Sequence, residues 1–260
     1  MVSISELQSS RLLKRSAFID DNPGAKERLA TMMHYLAELT AARSTAMKAL
    51  AESYPDTDLT PMYVDGAARL ARFGWTVPMQ MGLRQMLEIL EETDADAIDN
   101  YFLDFYHSDA ALSLRSLRGI SRSQLLSRWG ALLEQCFENY ERGQHLICIP
   151  ALLTVLEGAI AVPDGAIFVN SSQRKAFFDA KVEEGGDLEG TVWESLRIFF
   201  DNLYRNSDFN GARPSNLNRH WILHGRDEPD WRQADALRLF HTLFTLSSIF
   251  SLQTPEPEVF

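Results

Sequence analysis

Apolar residues recur along this chain at intervals of three and four, the period of a helix that buries one face. In residues 25–54, Leu29, Met32, Met33, Leu36, Leu39 and Met47 keep that period, and Pro55 stands where such a helix has to stop. Shorter helices are predicted over 62–73, 79–90 and 95–107. Between the first two lies Gly74-Trp75-Thr76-Val77-Pro78, a cluster of helix breakers whose tryptophan is suited to plug a gap between helices. Ser121 and Gln124 have capping-box spacing ahead of Leu125, Leu126, Trp129, Leu132, Leu133, Cys136, Phe137 and Tyr140, which predicts a helix closing at Gly143. Residues 146–162 are apolar on every side except at Thr154 and Glu157. That run is too short for a membrane span and carries Pro150 and a carboxylate, so it reads as the central helix of a bundle. Further helices are expected over 171–184, 191–204, about 215–224 and 230–252. No segment alternates with period two between hairpin turns, and the expected fold class is all-α.

Composition adds limits to this picture. The 260 residues are 45% hydrophobic and 23% charged, as in ordinary globular domains. Two cysteines, Cys136 and Cys148, both in apolar stretches, read as reduced core thiols and exclude a disulfide scaffold. The first residues lack the pattern of a signal peptide, and a cytoplasmic location is expected. The net charge of −11 argues against a broad basic surface gripping nucleic acid. Most of it sits in residues 51–110, where twelve acids face three arginines. Arg115, Arg118, Arg122 and Arg128 follow with no acid between them, either a solvated, ion-paired face or a local phosphate site. The expected organisation is an acidic helical region of unknown role over 1–120, a helical bundle over 121–252 and a frayed tail over 253–260.

Two places carry candidate chemistry. Glu157, late in the apolar helix, needs a partner if it is buried, either solvent and a neighbouring arginine or a group that it orients in a site. The second place is Leu217-Asn218-Arg219-His220-Trp221-Ile222-Leu223-His224-Gly225, a polar short helix between a loop and the last core helix. His220 and His224, four apart, have the spacing at which a helix offers two imidazoles to zinc. Further ligands would have to come from Asp227, Asp230 or the remote His241, and Trp221 stands where a zinc protease helix has its glutamate. The other reading pairs Arg219 with His224. An imidazole can move a proton near neutral pH, and a guanidinium can hold the added negative charge of a phosphorane, so the two can cleave RNA without a metal. On a straight helix, however, these two residues lie about 140° apart. The bland version has Arg219 paired with a structural acid and His224 capping the helix end.

Asn218-Arg219-His220-Trp221-Ile222-Leu223-His224-Gly225 resembles the signature of the HEPN superfamily, an arginine, a polar residue and, after a short gap, a histidine. The helix order over residues 121–252 is similar to the four-helix bundle of that family. The resemblance implies a HEPN-like RNase domain in which His224 transfers protons and Arg219 clamps the phosphate. His220 would be the polar residue after the arginine, Asn218 a supporting donor, and Glu157 a buried acid orienting Arg219 or His224. It also implies RNA as substrate, no cofactor, a role in defence or as a toxin, and a homodimer with a composite site. The dimer would gather Arg213, Arg219 and Arg226 of each chain into one positive cleft. The competing expectation is an inactive helical module that binds a protein or nucleotide, with the acidic 51–110 segment as its partner surface.

Overall fold

The predicted helical periods are realised in a computed structural model that describes residues 60–81, 83–108, 117–161, 171–206 and 208–253. The chain divides into a unit before residue 58, wholly outside the described residues, and a unit from residue 58 onward, which is the one described below. The helix expected over 25–54 and the tail from residue 254 therefore also fall outside them. The described residues are helical and contain no strand.

The helices are α1 (Thr60–Arg72), α2 (Leu83–Glu91), α3 (Ala95–His107), α4 (Gly130–Glu141), α5 (His145–Ile160), α6 (Ser171–Glu184), α7 (Gly186–Leu203), α8 (Arg219–Leu223) and α9 (Gln233–Gln253). Asp94 starts α3 by accepting a hydrogen bond from the Ala97 amide at 2.8 Å. Gly143, with φ at 75°, turns the chain from α4 into α5. Helix α5 buries residues round most of its circumference, Cys148, Ile149, Leu152, Leu153, Val155, Leu156, Ala159 and Ile160, and packs against both α4 and α9. Helix α7 lies between α1 and α6 and also touches α9. One hydrophobic cluster runs from Leu70 and Phe102 through Leu133, Leu152 and Phe200 to Phe240. It continues across residue 120, so the expected boundary there does not separate two cores.

The capping box expected at Ser121 does not form. Two 3-10 turns, Ile120–Arg122 and Ser127–Trp129, occupy this stretch, and α4 begins at Gly130. The Ser121 hydroxyl is engaged instead with the Arg118 carbonyl at 3.0 Å and the Glu134 carboxylate at 2.9 Å. Arg118 pairs with Glu134 at 2.7 Å and Glu141 at 3.3 Å, and Arg128 lies 4.7 Å over the Trp129 ring. Three of the arginines in this stretch can be placed, and two of them are already engaged with the fold. The Trp129 indole rests on Gly158 of α5, where a Cβ would lie 2.2 Å from it. Only glycine permits that approach.

Trp75 plugs the core as expected, fully buried and stacked on Phe102 with ring centroids 3.9 Å apart. Its indole nitrogen donates to buried Asp99 at 2.9 Å, and the same carboxylate receives Arg232 at 2.6 Å and Arg238. Both cysteines are buried free thiols, with Cys148 Sγ donating to the Cys136 carbonyl at 3.2 Å. Among the described residues no helix is long and apolar enough to cross a membrane.

Candidate functional site

Helix α8 is little more than one turn, shorter than the 215–224 expected, because Asn218 starts it abruptly. Asn218 Oδ1 accepts from the Trp221 amide at 3.1 Å, and its Nδ2 donates to the Arg205 carbonyl at 2.8 Å. With 2% of its surface exposed, this side chain is committed to capping the helix and to the Arg205 carbonyl, so the supporting donor expected at this position serves the fold. Trp221 and Ile222 face inward and hold α8 against the core. His224 occupies the C-terminal cap position, followed by Gly225 in the left-handed region with φ at 64°. Arg219, His220 and His224 are left accessible to different degrees on the remaining faces.

The Arg219 guanidinium reaches across to α5 and grips Glu157, with Nη2 at 2.8 and 2.9 Å from the two carboxylate oxygens and Nε at 3.3 Å. Arg219 is a partner of the kind that a buried Glu157 would need, yet the Glu157 side chain is 43% exposed. The expectation of a buried acid is thereby corrected: the residue sits at the rim of the apolar helix, where the charge keeps part of its hydration. The Arg219 guanidinium carbon also lies 5.9 Å from the ring centre of Tyr204, at the end of α7. Arg174 of α6 covers the same ring at 4.2 Å. Burial lowers the pKa of Arg174; Tyr204, Asp201 and Glu157 counteract this, and Arg219 adds to it. Tyr204 itself is pushed above its ordinary value, first by burial.

The histidines belong to a second cluster. The rings of His220 and His224 meet edge to face with centroids 4.7 Å apart. Phe209, in the loop before α8, stacks flat on His220 at 4.5 Å and lies 5.8 Å from His224, while Arg226 reaches over Phe209 at 5.4 Å. The structure thus joins Arg219 to Glu157 and His220 to His224. Arg219 and His224 have separate partners, in keeping with their angular separation on the helix.

Arg213 is closed by Asp227 at 2.5 Å and by Asp230 at 2.5 and 2.8 Å, hydrogen bonds to Asp230 and Asp227 that raise its pKa. The same arginine holds the Asp230 carboxyl below its ordinary value. Of the three arginines expected to make a cleft positive, Arg213 and Arg219 are already neutralised within the chain. Among the described residues no group of three histidines, cysteines or acids is arranged to hold a metal ion. Sequence reasoning did not find Arg174, Tyr204 or Phe209, because Arg174 and Tyr204 belong to other helices and Phe209 is a single aromatic residue in a polar loop. Models of protein families, curated proteins and solved structures give no match to this chain.

Proposed function

We propose that the protein is a metal-independent endoribonuclease of the HEPN type, with a role in defence or as a toxin. The observation that carries this reading is the imidazole pair, His220 and His224, 4.7 Å apart at the end of α8, on the same short helix as the clamped Arg219. Two adjacent imidazoles can serve both proton transfers of RNA transesterification. His224 takes the proton of a ribose 2′-hydroxyl as that oxygen attacks the adjacent phosphorus. His220 gives a proton to the departing 5′-oxygen. The products are a 2′,3′-cyclic phosphate end and a 5′-hydroxyl end, and exchange of one proton with water returns His224 to its neutral form and His220 to its protonated form for the next turnover. Arg219, contributed by the second chain of a two-fold pair, faces the charge that grows on the non-bridging oxygens, and Glu157 keeps its fork oriented.

The purified chain should cleave unstructured RNA in EDTA and leave cyclic phosphate ends. Arg219→Ala and His224→Ala should each lower the rate by at least about a hundredfold, with an unchanged helical circular dichroism spectrum. Cleavage that persists in the double variant, or that disappears with EDTA, would overturn the reading.

One observation favours the second reading, an inactive binding module. The Arg219 fork is occupied by Glu157 and that of Arg213 by two aspartates, as in purely structural ion pairs. On that reading the described part of the acidic segment, residues 60–108, with exposed Asp65, Asp94, Asp96 and Asp104, offers the surface for a basic protein partner. Arg219→Ala would then lower thermal stability while no RNA is cut by any form of the chain.

A further inference from the structure

We propose that Arg174, Tyr204 and Arg219 form a binding site for a phosphoryl oxyanion, the phosphate of an RNA strand or of a nucleotide. The proposal deepens the nuclease reading and rests on it only for the identity of the strand.

Three features of the cluster point to an anionic ligand. Arg174 Nε is buried and has no hydrogen-bond partner, and the Tyr204 hydroxyl is in the same position. Both are donors, and a buried donor without an acceptor is costly. A phosphoryl group presents several acceptor oxygens to such donors. Secondly, the stacking of Arg174 on Tyr204 at 4.2 Å fixes the plane of its guanidinium without consuming a hydrogen bond, which preorganises the fork. Thirdly, the acids nearby are engaged. Asp201 is paired with Arg197 at 3.2 Å, and Glu157 with Arg219. The Arg219 pair uses Nε and Nη2, so the donors on Nη1 lie outside it. An oxyanion seated at the Tyr204 edge would be met by Arg174 from α6 and by Arg219 from α8. Binding of this kind is charge-assisted and directional, which is what two guanidinium groups on one aromatic ring can supply.

The test is calorimetric titration of the full chain with three probes: a short single-stranded deoxyribonucleotide, which lacks the 2′-hydroxyl and is not cut, a nucleoside 3′-monophosphate, and inorganic phosphate. A strand site binds the first most tightly, and a monoester site binds the second and third. Arg174→Gln should weaken the binding seen by about tenfold, and for the oligonucleotide it should reduce the salt dependence by about one phosphate contact. Tyr204→Phe should weaken it in the same direction, and Arg174→Lys should restore part of it. Lys175→Ala, which removes the same charge from an exposed neighbour paired with Asp179, should leave affinity unchanged. Equal binding by the wild type and Arg174→Gln, an equal loss in Lys175→Ala, or no binding of any probe would overturn the proposal. If the nuclease reading alone fails, probe binding and its dependence on Arg174 remain while RNA stays intact.

Discussion

His241 shows how burial sets what a single residue can do. Its ring lies wholly inside the core, accepting from the Tyr106 hydroxyl at Nδ1 over 2.7 Å and donating from Nε2 to the Thr76 carbonyl over 3.0 Å. Burial pushes its pKa down to about 4, against a smaller opposing effect of the Thr76 carbonyl. The folded state therefore holds this imidazole neutral at pH values where the unfolded chain, titrating near 6.5, is already protonated. Its contribution to stability is complete above about pH 6.5 and is lost progressively as the pH falls to about 4, roughly 3 kcal/mol in all. Urea unfolding between pH 7 and pH 4 should show that slope. His241→Gln, which can keep both hydrogen bonds but does not titrate, should lose it; an unchanged slope would assign the effect to other groups. His224, exposed at the end of α8, is the opposite case, a histidine that keeps contact with solvent.

Between elements, the principal polar tie is Asp99. It sits in the first turns of α3, yet its carboxylate gathers the Trp75 indole from the loop after α1, Arg232 just before α9 and Arg238 within α9. Helices that are adjacent in space and far apart in sequence are thus pinned at one carboxylate. Asp99→Ala leaves Arg238 with Asp235 as its remaining partner and the buried indole N–H without its acceptor, and it should cost about 2–3 kcal/mol, measured by chemical denaturation. A loss below about 1 kcal/mol would show that the packing of Trp75 on Phe102 carries this junction alone. Element types and many ends were legible in the sequence. Helix α3 spans the predicted 95–107, and α6 ends at Glu184 as expected, but only Gly185 separates it from α7, which begins at Gly186 and not at the expected 191. The start of α4 was not legible, because the Ser121 hydroxyl finds a better partner in Glu134, on a turn that has not yet formed where a local pattern is read.

At the scale of the folded unit, the divergence of Arg219 and His224 bears on assembly. On one chain the two diverge round α8, with Arg219 directed to Glu157 and His224 to Phe209. With the nuclease reading goes the proposal of a homodimer, in which a two-fold pairing of α8 segments sets Arg219 of one chain beside His224 of the other in a composite site. The charge argument for such a pairing is weaker than the sequence alone suggests, since Arg213 is closed by Asp227 and Asp230. Arg226, set over Phe209, is then the cation that such an interface would share. Light scattering at micromolar concentration should report twice the chain mass. Mixing inactive Arg219→Ala and His224→Ala chains should restore part of the activity, because a mixed dimer keeps one intact site. A monomer, or a mixture as inactive as its parts, would place the chemistry within one chain.

The sequence by itself determined the helical class, the approximate span of most elements and the short segment in which arginine and histidine are concentrated. All of these depend on neighbours within a few positions, where period, proline and glycine act directly. It also required that Glu157, if buried, have a partner, though it left open which one. Only the tertiary structure decided that the partner is Arg219, that Glu157 lies at a hydrated rim, and that Asn218 is used up in capping. Only the tertiary structure brought Arg174 and Tyr204 to Arg219, and Phe209 to the two histidines. The reason is physical. Which side chains meet across α5, α6, α7 and α8 follows from how apolar faces dock in one shared core, and no spacing along the chain encodes the result.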